Sequence, residues 1–185
     1  YDSQADFYIR VGDDLAIVDP DLQKLQTIEK ELKIVLNERG LKLNHDKLFI
    51  GPARDTFSFL GYRFSNGFIG LDDSFITRLE TEWKTILVYK NESVAKKRYI
   101  LKNIMRRENT NFNTRFQEII KNKSQVNDVE QIRDVSERFF QILTEFYYGQ
   151  YSPQHRRLIR TVIKDLGIRS LYHYYKNFHY ERRRA

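Results

Sequence analysis

The sequence contains no cysteine and no apolar run that approaches the length of a membrane span. The first absence excludes disulfide scaffolds, thiol catalysis and cysteine-based zinc fingers. The second excludes a transmembrane helix, which needs roughly 18 consecutive apolar residues, so we expect no membrane partner. No signal-peptide pattern follows Tyr1, and we therefore expect a cytoplasmic protein. Because the chain does not begin with Met, we also expect a fragment or a processed product.

The residues that are present indicate a folded core. Apolar residues make up 41% of the 185 residues, and the aromatic side chains include 13 Phe and 12 Tyr. This composition excludes a disordered tail as the main content of the chain. The length is sufficient for one domain or two small ones.

The net charge of +7 is concentrated at the C-terminal end. Residues 150–185 carry nine basic and two acidic side chains, whereas residues 1–149 carry equal numbers of each sign. A solvated helix face normally mixes its signs, so this imbalance favours contact with a polyanion over mere solubility. Phosphate contacts are predicted for six arginines: Arg156, Arg157, Arg160, Arg182, Arg183 and Arg184.

The first 72 residues have the pattern of short strands with one helix. Phe7–Val11 and Leu15–Val18 are β-prone runs on either side of a turn-forming cluster. A helix is predicted to start at Asp19, as its cap, and to end at Gly40. The dipeptide Asn66-Gly67 favours a tight hairpin turn, because Asn and Gly tolerate positive φ.

From residue 73 onward, apolar residues recur at helical spacing. Ser152-Pro153 predicts the start of one helix, and Gly149 and Gly167 predict the ends of two others. We predict an α+β protein with antiparallel strands and one helix in residues 1–72, followed by an all-α region in residues 73–185. In the last helix, core positions are predicted at Leu171, Tyr175 and Phe178.

The sharpest local feature is the run Gly12-Asp13-Asp14 between the two strands. Adjacent carboxylates repel each other unless water, a cation or an arginine offsets their charge. Mg²⁺ is a natural partner, because it prefers oxygen ligands and accepts carboxylates together with substrate phosphates. A solvated Asp-Asp turn is the alternative that the dipeptide alone leaves open.

The segment from Phe7 to Val18 resembles motif C of template-directed polymerases, in which paired aspartates occupy a hairpin turn of the palm domain. Bacterial-type reverse transcriptases, such as group II intron maturases, carry an Arg-Tyr-Ala-Asp-Asp-like version, and viral RNA-dependent RNA polymerases carry Gly-Asp-Asp. On this turn alone both families fit. The chain keeps the arginine and both acids but departs from the intron-like pattern at two positions, Val11 for Tyr and Gly12 for Ala.

Two downstream segments favour the reverse transcriptases. The run from Leu36 to Lys47 is similar to their motif D, a helix followed by Gly-Leu-x-Leu-Asn and a lysine. The run from Phe59 to Phe64, Phe-Leu-Gly-Tyr-Arg-Phe, is similar to motif E, the primer-grip hairpin. The three motifs occur in the order of the family. The resemblance covers residues 7 to 64 closely, and the helical remainder resembles a thumb only in kind.

The resemblance implies the C-terminal part of a polymerase palm in residues 1–72, followed by a thumb-like helical region. It also implies that Asp13 is the principal metal ligand, that Asp14 supports it and that Lys47 protonates the departing pyrophosphate. Gly61 and Tyr62 are the implied primer-grip residues. From the residues alone, an ordinary surface lysine at position 47 and a packed tyrosine in a tight hairpin remain open alternatives.

The implied activity is the addition of deoxynucleoside triphosphates to a DNA or RNA primer on an RNA template, with Mg²⁺, or Mn²⁺ as an alternative, as the cofactor. In this family motif A with its further aspartate, motif B and the fingers lie upstream of motif C, and only six residues precede Phe7. We therefore expect residues 1–185 to be inactive alone and to need the missing N-terminal half as a partner. Intron, retron and phage-defence lineages remain open. So do a non-catalytic RNA-binding scaffold of polymerase descent and an RNA-dependent RNA polymerase.

Overall fold

The structure is a computed structural model that describes residues 5–88 and 91–182. The predicted α+β class is confirmed. Among the described residues there are five strands, namely β1 Phe7–Val11, β2 Asp14–Val18, β3 Phe57–Phe59, β4 Tyr62–Ser65 and β5 Phe68–Leu71. There are also seven α-helices, namely α1 Leu22–Glu38, α2 Asp73–Ile86, α3 Val94–Arg106, α4 Phe112–Asn122, α5 Val129–Tyr148, α6 Pro153–Asp165 and α7 Leu171–Arg182. None of the described helices is long and apolar enough to cross a membrane.

The strands form two antiparallel arrangements, the hairpin β1-β2 and a three-stranded sheet in the order β3-β4-β5. The chain divides after Gly67 into two compact units, which we call unit 1 (up to Gly67) and unit 2 (from Phe68). This division precedes the border expected after residue 72, and it groups β5 with the helices. The physical reason is that the backbone of β5 is hydrogen-bonded by the start of α5. The assignment of the units to a palm and a thumb stays a prediction.

The start of α1 differs from the expectation. The predicted cap Asp19 was wrong, because the side chain of Asp21 accepts the backbone N–H groups of Gln23 and Lys24 at 2.8 and 3.3 Å. The carboxylate of Asp19 is engaged elsewhere, by the backbone N–H of Asp21 at 2.9 Å and the Lys24 ammonium at 2.6 Å. The predicted end is confirmed, since Gly40 follows the helix with φ of +70°.

The structure contains two tight turns between residues 57 and 71. Asn66-Gly67 is confirmed as a turn with positive φ at both positions, 48° and 84°. The second turn lies at Leu60-Gly61, within the segment that resembles the motif E hairpin, and φ there is 52° and 71°. Two consecutive residues at positive φ are the requirement of a type I′ hairpin turn. Leu60 has a backbone conformation that residues other than glycine rarely adopt.

Unit 2 is organised around α5, against which α2, α3, α6, α7 and β5 pack. Its core is aromatic. Phe139 of α5 makes edge-on contacts with Trp83, Phe112 and Phe116 at ring-centroid distances of 5.1, 5.0 and 5.0 Å. All four rings are at most 1% exposed. Truncating one such ring to alanine typically costs about 3–5 kcal/mol, so this cluster is the main source of stability of unit 2.

The predicted boundaries of the later helices are confirmed. Ser152 caps α6 through the backbone N–H of His155, and Pro153 occupies the first turn. Gly149 and Gly167 follow α5 and α6 with φ of 82° and 66°. In α7, Leu171 and Tyr175 are core residues at 0% and 8% exposure. The core prediction for Phe178 was wrong, because that ring is half-exposed and lies under the guanidinium of Arg182 at 5.4 Å.

Candidate functional site

The hairpin β1-β2 presents its two aspartates at its tip. The register pairs Val11 with Asp14 and leaves Gly12 and Asp13 as a two-residue loop. Gly12 has φ of +64°, and a Cβ there would meet no atom within 4 Å, so the backbone conformation and not the space favours glycine. Positive φ at the first loop position is the feature of a type II′ turn, which matches the twist of a hairpin. Asp13 and Asp14 are consequently adjacent and exposed.

Arg10 stabilises the turn and does not neutralise the two carboxylates. Its Nε donates a hydrogen bond to the carbonyl oxygen of Gly12 at 2.9 Å, which closes the loop from the strand side. Neither Asp13 nor Asp14 has a hydrogen bond or an ion pair from its carboxylate to another described residue. Two adjacent carboxylates at an exposed tip are hard oxygen donors that fit a divalent cation such as Mg²⁺.

The described residues do not form a complete metal centre at this tip. No group of three or more Asp, Glu, His or Cys side chains suited to a metal ion occurs in the described part of the chain. The Asp13–Asp14 pair can supply two carboxylate ligands, and no third Asp, Glu, His or Cys side chain joins them among the described residues.

Behind the two acids, one face of the hairpin is apolar and is not covered by any of the described residues. The alternation along paired strands places Phe7, Ile9, Val11 and Val18 on the same face, with Asp14 at its turn end. Their exposures are 54, 38, 47 and 53%. A two-stranded hairpin is marginal in water on its own and needs further strands or a helix against its apolar face. This face therefore has the character of an interior surface.

The opposite end of the hairpin is fixed to α1 by an ion pair. The Lys24 ammonium lies 2.6 Å from the Asp19 carboxylate, whose side chain is only 2% exposed. Hydrogen bonding from Lys24, together with the backbone N–H of Asp21, lowers the pKa of Asp19, and Asp19 in turn raises the pKa of Lys24. Within residues 5–67 the only buried residue is Ile28 of α1. This ion pair is thus one of few specific contacts that position the hairpin.

Lys47 lies on a short 3₁₀ helix, His45–Lys47, which the side chain of Asn44 caps through the backbone N–H of Asp46 at 3.1 Å. Its side chain is exposed. No hydrogen bond or ion pair connects it with Asp13 or Asp14 among the residues described. The structure thus leaves the predicted role of Lys47 as a prediction.

Gly61 and Tyr62 lie at the tip of the β3-β4 hairpin. Gly61 is the second turn residue, and Tyr62 begins β4 opposite Phe59. The ring of Tyr62 lies 6.5 Å from that of Phe64, at the end of an aromatic row in which Phe64 stacks on Phe57 at 5.1 Å. Tyr62 is therefore packed along one edge, while its neighbour Leu60 is 39% exposed at the tip. Both the packing role and a primer contact at the tip remain compatible with this position.

Among the arginines predicted to contact phosphate, Arg156 has a different environment from Arg157, Arg160 and Arg182. Its guanidinium forms a two-pronged ion pair with Glu137 at 2.9 and 3.2 Å and lies 4.8 Å from the centre of the Phe140 ring. Its side chain is only 14% exposed. Arg156 therefore joins α6 to α5.

Arg157 and Arg160 are exposed on α6, together with Lys164, which the sequence analysis did not single out. The three residues are spaced by three and four positions and so lie along one helix face. We call them the α6 row. The sequence signal that would have identified Lys164 is its helical spacing from Arg157 and Arg160. Arg182 is the last residue of α7, and Arg183 and Arg184 lie outside the described residues.

No protein-family model, curated protein or solved structure matches this chain. The resemblance to reverse transcriptases thus depends on the sequence motifs between residues 7 and 64.

Proposed function

We propose that this chain is the C-terminal part of an RNA-directed DNA polymerase, which extends a primer with deoxynucleotides by two-metal nucleotidyl transfer. The observation that carries the proposal is the position of Asp13 and Asp14. Both carboxylates are exposed at the tip of a hairpin whose turn requires Gly12. Motif D and motif E segments follow it in the order found in that family.

In this proposal the hairpin holds the two carboxylates side by side near the end of the primer. Bound Mg²⁺ would supply charge neutralisation and activation of the attacking hydroxyl. The rigid turn keeps Asp13 and Asp14 adjacent without a neutralising arginine, because Arg10 is engaged with the carbonyl of Gly12. In this proposal a third carboxylate, from motif A, comes from an upstream half of the palm.

The uncovered apolar face of the hairpin supports the need for that half. Phe7, Ile9, Val11 and Val18 are exposed although they are large and apolar. Burial of such side chains contributes about 25 cal/mol per Å² of apolar surface removed from water. Residues 1–185 alone are accordingly expected to lack polymerase activity.

The remaining roles follow from the same proposal. Lys47 protonates the departing pyrophosphate, where a flexible cation meets developing negative charge. Gly61 and Tyr62 position the primer end at the tip of the β3-β4 hairpin. The α6 row, with Arg182, contacts the phosphates of the template–primer duplex. Arg156 is not part of this set, because Glu137 occupies its guanidinium.

A second candidate is a non-catalytic RNA-binding scaffold of polymerase descent. Val11, in the position where the intron-like enzymes carry Tyr, is the feature that favours it. An RNA-dependent RNA polymerase is a third candidate, since Gly-Asp-Asp is also the viral form of the turn. The intron, retron and phage-defence lineages are not separated by any of these features.

Primer extension by the complete enzyme distinguishes these candidates. The complete enzyme is residues 1–185 joined to their upstream half, assayed with Mg²⁺ on a primed RNA template. We expect incorporation of deoxynucleotides in preference to ribonucleotides. A preference for ribonucleotides would identify an RNA polymerase. RNA binding without any incorporation would identify a scaffold.

A further inference from the structure

Helix α3 is cationic along its whole length. Its 13 residues include five Lys or Arg and no Asp or Glu, and Arg107 follows directly. Three of these cations have partners. Lys96 pairs with Glu92 at 2.8 Å, Arg98 pairs with Asp165 at 2.8 Å, and buried Lys97 donates to the carbonyl of Tyr147 at 3.4 Å.

The other three cations, Lys102, Arg106 and Arg107, are exposed and have no ion pair among the described residues. This arrangement contrasts with the arginines on α4 and α5. Arg115 is paired with Glu82 and Glu118, and Arg138 is paired with Glu80 and Asp134. Lys102, Arg106 and Arg107 therefore lack the carboxylate partners that Arg115 and Arg138 have.

An exposed aromatic ring, that of Tyr99, lies on the same face of α3 as Lys102 and Arg106. Tyr99 is 65% exposed, more than any other large apolar or aromatic side chain among the described residues. Tyr99, Lys102 and Arg106 follow at steps of three and four, so they lie on one helix face with about 5–6 Å between successive Cβ atoms. We call Tyr99, Lys102 and Arg106 the α3 row; Arg107 follows the helix as its C-cap and is not part of the row.

The opposite face of α3 is not available to a partner. Leu101 and Ile104 are buried, at 0% and 8% exposure, where α3 packs on α5. A helix that binds a membrane surface inserts an apolar face among the lipids, and α3 has already buried that face. The accessible face offers cations and one ring.

We infer that the α3 row binds single-stranded nucleic acid. Lys102 and Arg106 contact successive phosphates, and the Tyr99 ring stacks on a base. A positively charged track with an exposed aromatic is the arrangement by which proteins hold single strands without reading their sequence. A single strand is favoured over a duplex, because only unpaired bases offer a free face to the ring. This inference does not rest on the proposed polymerase activity, since binding requires neither metal nor catalysis.

The experiment measures the affinity of the full chain for a labelled oligothymidylate of about 15 nucleotides, over a range of salt concentrations. Tyr99→Ala should weaken binding roughly tenfold and leave the salt dependence unchanged, because it removes stacking and no charge. Lys102→Gln combined with Arg106→Gln should reduce the slope of log K against log salt by about 1.4, since each phosphate contact on a single strand contributes about 0.7.

Matched controls remove the same groups elsewhere in unit 2. Tyr151→Ala removes another exposed tyrosine, which is 44% exposed, and Lys84→Gln with Lys121→Gln removes two charges from α2 and α4. Both controls should bind like the parent chain. Circular dichroism establishes that each variant is folded.

Five outcomes would overturn the inference. The first three are no binding by the parent chain, parent-like binding by the α3 variants, and equal losses of affinity in the controls. The fourth is equal competition by polyglutamate, which would indicate an acidic protein as the partner. The fifth is that the α3 variants lose more affinity for duplex DNA than for the oligothymidylate. None of these results bears on primer extension, so failure here is distinguishable from failure of the proposed function.

Discussion

The side-chain amide of Gln131 pairs with both backbone groups of Leu71. Its Oε1 accepts the N–H of Leu71 at 2.6 Å, and its Nε2 donates to the carbonyl of Leu71 at 2.9 Å. An amide on α5 thus takes the place of a further strand along β5. Asn127 completes this edge, because its Oδ1 accepts the N–H of Ile69 at 2.7 Å. The exposed edge of β5 is therefore closed to pairing with another chain.

Gly70 leaves the room that this amide pair needs. A Cβ at Gly70 would lie 2.6 Å from Oε1 of Gln131, so Gly70→Ala must displace the amide. We expect Gly70→Ala and Gln131→Ala each to lower the free energy of unfolding by about 1–3 kcal/mol, the cost of leaving buried backbone groups unsatisfied. Urea denaturation measures both values.

The double variant tests the cause. Once Gln131 is shortened, Gly70→Ala no longer displaces anything and should be close to neutral, so the two effects should be far from additive. Additive losses would show that the two residues act independently.

Variants of Arg156 and of the α6 row should distinguish effects on the free energy of unfolding from effects on nucleic-acid binding. Arg156→Gln should lower the free energy of unfolding by about 1–2 kcal/mol, because it removes a charge-assisted pair with Glu137 and a contact with the Phe140 ring. Its effect on the salt dependence of duplex binding should be negligible. Neutralising Arg157, Arg160 and Lys164 should have the reverse effect, reducing the salt slope by about 2 to 3 while unfolding stays unchanged. A lower salt slope for Arg156→Gln would place that guanidinium on the nucleic acid.

The Asp19–Lys24 pair predicts an acid-sensitive contact in unit 1. The pKa of Asp19 is held below its ordinary value of 3.8, first by hydrogen bonding from Lys24. A carboxylate whose pKa is depressed by folding stabilises the native state above the unfolded pKa, and that contribution is lost as the pH falls through the folded value. The contact should therefore persist at neutral pH and weaken below about pH 3.8.

An NMR titration of the Asp19 carboxyl carbon measures this pKa directly. Lys24→Met should raise it toward 3.8, while Lys30→Met, an exposed cation on the same helix, should leave it in place. An unchanged titration in Lys24→Met would mean that the ion pair does not form in solution.

Local chemistry made much of the fold predictable from the sequence. Asn66-Gly67 and Ser152-Pro153 each act through their own backbone, so the turn and the helix start occur where the sequence places them. At Leu60-Gly61 the resemblance to motif E implied a hairpin, but residue propensity did not identify Leu60 as a turn residue, because its side chain disfavours the positive φ that it adopts.

Long-range contacts account for most of what the sequence did not reveal. Gln131 meets Leu71 across 60 positions, and Arg156 meets Glu137 across 19. No periodicity identifies such partners. The adjacency of Asp13 and Asp14 at an exposed tip was predictable, because Gly12 and the flanking strands define the turn locally.

The most direct test of the central claim is primer extension by the complete enzyme carrying Asp13→Asn, on an RNA template with deoxynucleotides and Mg²⁺. The account predicts loss of turnover by at least about a hundredfold, because a charge-stabilising ligand at the reacting centre is removed, with an unchanged circular dichroism spectrum. Asp55→Asn, which removes an exposed carboxylate elsewhere in unit 1, should retain activity. Turnover by Asp13→Asn at the level of the parent enzyme would contradict the account.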